Sequence, residues 1–137
     1  LPSFPLSVPP GTVTVGAVVA SLPMAALITD ILVVNNVRDL ETDRAAGKRT
    51  LAVIVGYAGS RIEFVGLLAL AYAVPLWFLA RGFSVAILLP LLSLPYAAAV
   101  ARTVLSRTDA EALNPTLERT GRLAAAYAVL FAVGLAA

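Results

Sequence analysis

Three oxygen-bearing side chains, Asn35, Asp39 and Asp43, recur at four-residue intervals in NNVRDLETDRAAGKRTLAVIVG, residues 35–56. On an α-helix that interval stacks them on neighbouring turns of one face. The chain contains no His and no Cys, and hard oxygen donors of this kind suit Mg²⁺. Mg²⁺ keeps several waters, takes one or two carboxylates and completes its shell with phosphate oxygens. The pattern therefore implies a phosphorylated ligand. Arg38, Arg44, Lys48 and Arg49 stand in the same stretch and supply cations for phosphate oxygens. Gly47 lets a helix end and lets backbone approach a ligand. The competing reading is a solvated cap at a membrane boundary, laced with i,i+4 ion pairs. A P-loop is excluded, because the glycine required five residues before Gly47 is Thr42.

These residues sit in an apolar chain. Of its 137 residues, 60% are hydrophobic and 13% charged, against about 25% charged in ordinary soluble domains. A small soluble domain has too little interior for that much apolar surface, so a lipid bilayer is the expected solvent. No basic stripe with interleaved aromatics is present, which excludes a nucleic-acid partner. The missing Cys and His exclude disulfides, thiolate zinc and histidine bases.

Four apolar segments, at about 11–34, 64–80, 83–101 and 123–137, predict an all-α polytopic bundle with about four transmembrane helices. The first should run on past the hydrocarbon and carry Asn35, Asp39 and Asp43 to the membrane surface as one continuous helix. The dipeptide Arg81-Gly82 predicts a tight hairpin between the second and third spans. Asn114 as N-cap and Pro115 at the first helical position predict the start of the last helix. Thr108 and Glu111 fit a capping box for a separate short helix. The opening LPSFPLSVPPG reads as a Pro-rich loop, and the 50–56 segment as an interfacial or re-entrant lid. Nine of the ten basic residues fall in the 35–61 and 102–122 connections, and only Arg81 falls opposite. This positive-inside bias predicts a multi-pass protein of the cell membrane with the charged stretch facing the cytoplasm.

The whole string NNVRDLETDRAAGKRTLAVIVG resembles the second aspartate-rich motif of UbiA-type membrane prenyltransferases. It matches every fixed position of NNxRDxxxDxxxGKxTLAVxxG, which typifies the naphthoate-prenylating branch of menaquinone synthesis. LNPTLERTG, residues 113–121, is similar to that branch's last cytoplasmic loop. The similarity spans all 137 residues as the C-terminal half of such an enzyme, one membrane domain of a nine-helix fold. Two departures stand out. The family often has a basic residue where Ile54 sits, and its first motif, NDxxDxxxD, does not occur in this chain. The resemblance implies transfer of a polyprenyl group from polyprenyl diphosphate to 1,4-dihydroxy-2-naphthoate, giving demethylmenaquinone. It implies Mg²⁺ held by Asp39 and Asp43 with support from Asn35. Arg38, Arg44 and Lys48 become diphosphate contacts, with Asp39, Asp43 and Lys48 as the catalytic set. It also implies that the isolated chain is inactive without the missing N-terminal half. The alternatives are a UbiA-type enzyme with another aromatic acceptor, or a non-catalytic membrane half-domain that needs a partner.

Asp30 lies inside the first span, where an ionisable group is costly. Nine residues separate it from Asp39, about 180° on a regular helix. It should therefore meet a partner on another helix or handle substrate or protons. Tyr57, Tyr72, Trp77, Tyr96 and Tyr127 should be interfacial anchors or packing groups. Pro75, Pro90 and Pro95 should kink helices around a cavity.

Overall fold

A computed structural model describes residues 14–137, and the Pro-rich opening loop lies outside them. The described residues form helices without strands: α1 Val15–Arg38, α2 Leu40–Ala45, α3 Leu51–Ala80, a 3₁₀ segment Val85–Ser93, α4 Leu94–Ser106 and α5 Ala110–Ala136. Four stretches are long and apolar enough to cross a membrane: Val15–Arg38, Leu51–Ala80, Val85–Ser106 and Ala110–Ala136. The expected all-α architecture with four spans is therefore present.

The core forms where α1, α3 and α5 meet, with the 3₁₀ segment against α5. Leu27, Val34 and Val37 of α1 meet Phe64, Ala71 and Phe78 of α3 and Leu123 and Tyr127 of α5. The hydroxyl of buried Tyr127 donates to the Ala71 carbonyl, and its ring meets Tyr72 edge-on at 5.4 Å. Tyr72 hydroxyl in turn lies 2.7 Å from Ser93 Oγ. Two of the five aromatics expected as interfacial anchors or packing groups, Tyr72 and Tyr127, are therefore interior packing groups. Trp77 stacks under the Arg81 guanidinium at 4.9 Å. Large apolar side chains such as Ile62, Leu92 and Val129 remain exposed, as a lipid-facing surface requires.

Several boundaries differ from the sequence expectation. The first helix does not continue smoothly through the charged stretch. It ends at Arg38, and Asp39, at φ −95° and ψ 6°, joins it to α2. The 50–56 segment, expected as an interfacial or re-entrant lid, is continuous with the second span as the start of α3, which Thr50 caps by accepting from Val53 N–H. Gly56 then breaks α3 at φ 74°, ψ −175°, a conformation closed to residues with a Cβ. The third span begins as 3₁₀ helix, with Pro90 inside it, before α4 continues it. The last helix starts at Ala110, with Asp109 rather than Asn114 or Thr108 as N-cap and Pro115 inside. The physical reason is local. Arg107 fixes the Asp109 carboxylate through two hydrogen bonds of 2.8 and 2.9 Å, and Asp109 Oδ2 accepts from Ala112 N–H at 3.1 Å. The predicted short helix and last span thus merge. The Arg81-Gly82 hairpin is present: Gly82 N–H bonds Leu79 O, and Phe83 N–H bonds Phe78 O.

Gly134 sets the approach of α5 to the 3₁₀ segment. A Cβ there would stand 2.6 Å from Ala86 O and 3.0 Å from Ile87 Cα, both backbone atoms. Small residues allow such close approach in membrane bundles. Gly134→Val should therefore cost roughly 1–3 kcal/mol by overpacking and lower the thermal unfolding temperature in detergent. An unchanged midpoint would show that the two segments do not pack this closely.

Candidate functional site

The candidate site occupies the end of the bundle where α1 gives way to α2. The break at Asp39 bends the helix yet keeps the ladder that joins the three oxygen donors. Asp39 N–H bonds Asn35 O at 3.1 Å, and Asp43 N–H bonds Asp39 O at 2.7 Å. Asn35, Asp39 and Asp43 are thus linked turn to turn, as their spacing predicts, across a bend that it does not. The Thr42 hydroxyl adds a bond to Asp39 O at 3.0 Å and steadies the bend.

The stretch after Asp43 is shaped by its glycine. Gly47, at φ 79°, takes the left-handed position after α2. Its N–H bonds Arg44 O at 3.1 Å, and Lys48 N–H reaches back to Asp43 O at 2.9 Å. This pair of bonds is the Schellman closure. It fixes the Lys48 backbone directly beside that of Asp43. Two residues later Thr50 opens α3, so Lys48 and Arg49 sit on a short exposed connection with both ends pinned.

Arg38 gathers the site. Its Nε and Nη2 donate to the two carboxylate oxygens of Asp39 at 2.9 and 3.0 Å. Nη2 also donates to Asn35 Oδ1 at 2.6 Å, and Nη1 to Asn114 Oδ1 at 3.0 Å. Two forked bonds of this kind are charge-assisted and directional. They hold the Asp39 carboxyl below the usual carboxylate range, and the nearby Lys48 charge acts in the same sense. A depressed carboxylate pKa stabilises the fold above the group's ordinary value, and that stabilisation fades as pH falls through the lowered one.

The other predicted residues separate into two groups. Arg44 pairs with Glu41 on the exposed side of α2. Asp43, Lys48 and Arg49 have no side-chain hydrogen bond or ion pair among the described residues. Two carboxylates one turn apart with an amide oxygen beside them match the donor count that Mg²⁺ accepts. Among the described residues, no trio of acidic side chains crowds together as a fully protein-built cage. The donor set therefore fits a cation that completes its shell with water and phosphate.

Asn114 is the residue that sequence reasoning missed as part of the site. Its neighbour Pro115 advertised a helix start, and nothing local signals a partner 76 positions away. The bond ties the first turns of α5 to the same end of the bundle as the charged stretch, while Arg81 caps the far end of α3. Asp30 stays apart. It is wholly buried, and neither carboxyl oxygen has a hydrogen-bond partner among the described residues.

Comparison with known proteins identifies a family. The UbiA prenyltransferase family matches residues 9–126. Human UbiA prenyltransferase domain-containing protein 1 is 33% identical over 132 residues, 96% of this chain and 38% of that protein. The 1,4-dihydroxy-2-naphthoate octaprenyltransferase of Mycobacterium tuberculosis is 38% identical over 112 residues, 81% of this chain and 37% of the relative. The Bacillus subtilis protein of the same name is 40% identical over 58 residues, 42% of this chain and 17% of its own length. The chain thus spans well under half the length of these relatives. A family match over most of the sequence, on four spans that carry the Asn35–Asp39–Asp43 ladder, places this chain in the UbiA prenyltransferase family.

Proposed function

We propose that the chain forms part of a membrane enzyme that transfers a polyprenyl group from polyprenyl diphosphate to 1,4-dihydroxy-2-naphthoate. The observation that carries this reading is the ladder of Asn35, Asp39 and Asp43 closed by the Arg38 fork. The names of the bacterial relatives support the naphthoate as acceptor. The opposing wall of the reaction cavity would come from the part of such a protein that this chain does not span.

Asp39 and Asp43 would hold Mg²⁺, with Asn35 Oδ1 in support. Bound there, Mg²⁺ would supply Lewis-acid stabilisation of the negative charge that builds on the departing diphosphate. Arg38 keeps Asp39 ionised and oriented, and so acts on the diphosphate through Asp39. Lys48 and Arg49, on their pinned connection, meet the outer phosphate oxygens; Arg44 joins them only by releasing Glu41. As the allylic C1–O bond breaks, the electron-rich ring carbon forms the new C–C bond, and the acceptor's carboxyl group departs as CO₂. Apolar helix faces exclude water from the allylic cation. The transfer is redox-neutral, so its immediate product would be the hydroquinone demethylmenaquinol, which a separate two-electron oxidation turns into demethylmenaquinone; a lipid product suits a cell-membrane location with the charged stretch toward the cytoplasm.

Asp39→Ala or Asp43→Ala in the full-length protein should reduce Mg²⁺-dependent turnover by about 10²–10³-fold, the scale seen when one preorganised electrostatic group is lost. Near-normal kcat in either variant would refute the metal assignment. Asn114→Ala removes one charge-assisted bond from Arg38 and should lower kcat/KM by about tenfold. A wild-type value would reduce Asn114 to a bystander.

The pH profile provides a further check. Arg38→Gln frees the Asp39 carboxyl to return upward toward its ordinary value. The acid limb of turnover against pH should move to higher pH in that variant. An acid limb that stays in place would show that Asp39 ionisation does not depend on the fork.

A further inference from the structure

The cleft between α1 and α3 gathers polar groups that the Asn35–Asp39–Asp43 face does not use. Its volume is about 180 Å³. Thr29 and Asn36 of α1 and Ser60 and Glu63 of α3 line it, among apolar walls that include Leu32 and Ala52. The Ser60 hydroxyl is wholly buried and has no hydrogen-bond partner among the described residues. Asp30 of α1, next to the lining residue Thr29, also has both oxygens unpartnered among the described residues, although it does not itself line the cleft. Buried polar atoms in proteins are almost always hydrogen-bonded. Inside a membrane, polar groups without partners mark substrate or ion paths. The unmet Ser60 hydroxyl, in a cleft that the Glu63 carboxylate also lines, therefore calls for a ligand that can hydrogen-bond there.

The position of the cleft narrows the choice. Asn36 stands three residues before Asp39 on α1, about 60° round the helix and roughly 4.5 Å along it. Leu51, the first residue of α3, lines the cleft as well, so it lies at the charged end of the bundle beside the candidate metal face. Its volume equals that of about six liquid waters. That is too small for a polyprenyl chain and suits one compact ring system. Apolar walls with a few placed polar groups are the usual make-up of an organic ligand site.

We propose that this cleft seats the aromatic acceptor, a small hydroxylated ring held between the aliphatic walls. Its hydroxyls donate to Glu63 and Ser60, and the ring carbon that is alkylated points toward the Asp39 side. The assignment rests on the proposed prenyl transfer to a dihydroxynaphthoate and adds which residues of this chain select the acceptor.

The test is binding of 1,4-dihydroxy-2-naphthoate to the full-length protein in lipid nanodiscs, read by naphthalene fluorescence without prenyl diphosphate. Wild type should bind saturably. Ser60→Ala, which removes one oxygen, and Ala52→Leu, which fills the cleft, should each weaken binding by about tenfold or more. Affinity for Mg²⁺-polyprenyl diphosphate, measured separately, should not change. Naphthoate affinity equal to wild type in both variants overturns the cleft assignment and leaves the proposed function standing. An equal loss for both ligands also overturns it, since a structural role alone would do that. A wild type that binds prenyl diphosphate but no naphthoate refutes the acceptor named under the proposed function, and the cleft assignment falls with it. Thermal unfolding identifies a variant that has lost its fold, and Ser60→Ala remains decisive if Ala52→Leu does not fold.

Discussion

The charged end of the bundle depends on one guanidinium. Arg38 donates four hydrogen bonds, to both oxygens of Asp39, to Asn35 and to Asn114. Only a planar fork with fixed donor directions reaches three partners at once; a lysine ammonium is a point charge on a flexible stem. The side chain also stands in the last turn of α1, where a cation meets the negative end of the helix dipole. It therefore satisfies the end of one span, holds a carboxylate ionised, and ties down the approach to α5. An ionised carboxylate already paired with a cation is also poised for exchange. Under the proposed function, a divalent ion and a diphosphate arriving together would bring a larger set of charges into the balance that Arg38 now provides.

The stretch around Arg38 serves structure and chemistry with the same residues. Asp39 bends the chain, Gly47 stops α2, Thr50 starts α3, and Gly56 breaks it. Each of these is a backbone condition that few residue types meet. Lys48 shows how the two uses join: its N–H closes the helix end on Asp43 O, and that closure fixes where its ammonium is carried. A cation on a pinned loop loses less freedom when it meets a phosphate than one on a free loop, because its backbone is already ordered. Under the proposed function the helix stop would therefore be part of the binding chemistry.

The four spans were legible in the sequence because hydrocarbon leaves the backbone few choices. A span must be helical, apolar and about 20 residues long, and composition alone exposes it. The face of Asn35, Asp39 and Asp43 was legible for a similar reason: a four-residue interval survives a modest bend. The start of α5 was not. Asn114-Pro115 and Thr108–Glu111 both carry good local signals, but Asp109 won because Arg107 holds its carboxylate in place, and Asn114 turns to Arg38 instead. The break at Gly56 and the 3₁₀ start of the third span were also hidden, since apolar composition is the same in a straight helix and a broken one. Local pattern names the elements, and side-chain partners far along the chain decide where they end.

The same limit explains why the buried polar groups of α1 and α3 carry functional weight. Lipid tails are as apolar as Leu, so helices in a bilayer associate through packing and interhelical hydrogen bonds. This bundle has both away from Asp30 and Ser60. Gly134 admits the Ala86 backbone to close range, and Tyr127 bonds the Ala71 carbonyl across α5 and α3. Asp30 and Ser60 contribute no bond to that cohesion and incur the cost of desolvation. Apolar residues of similar size would hold α1 to α3 at least as well. The Ser60 hydroxyl, placed where it weakens the bundle in a cleft beside the candidate metal face, makes physical sense when something that enters the cleft bonds to it.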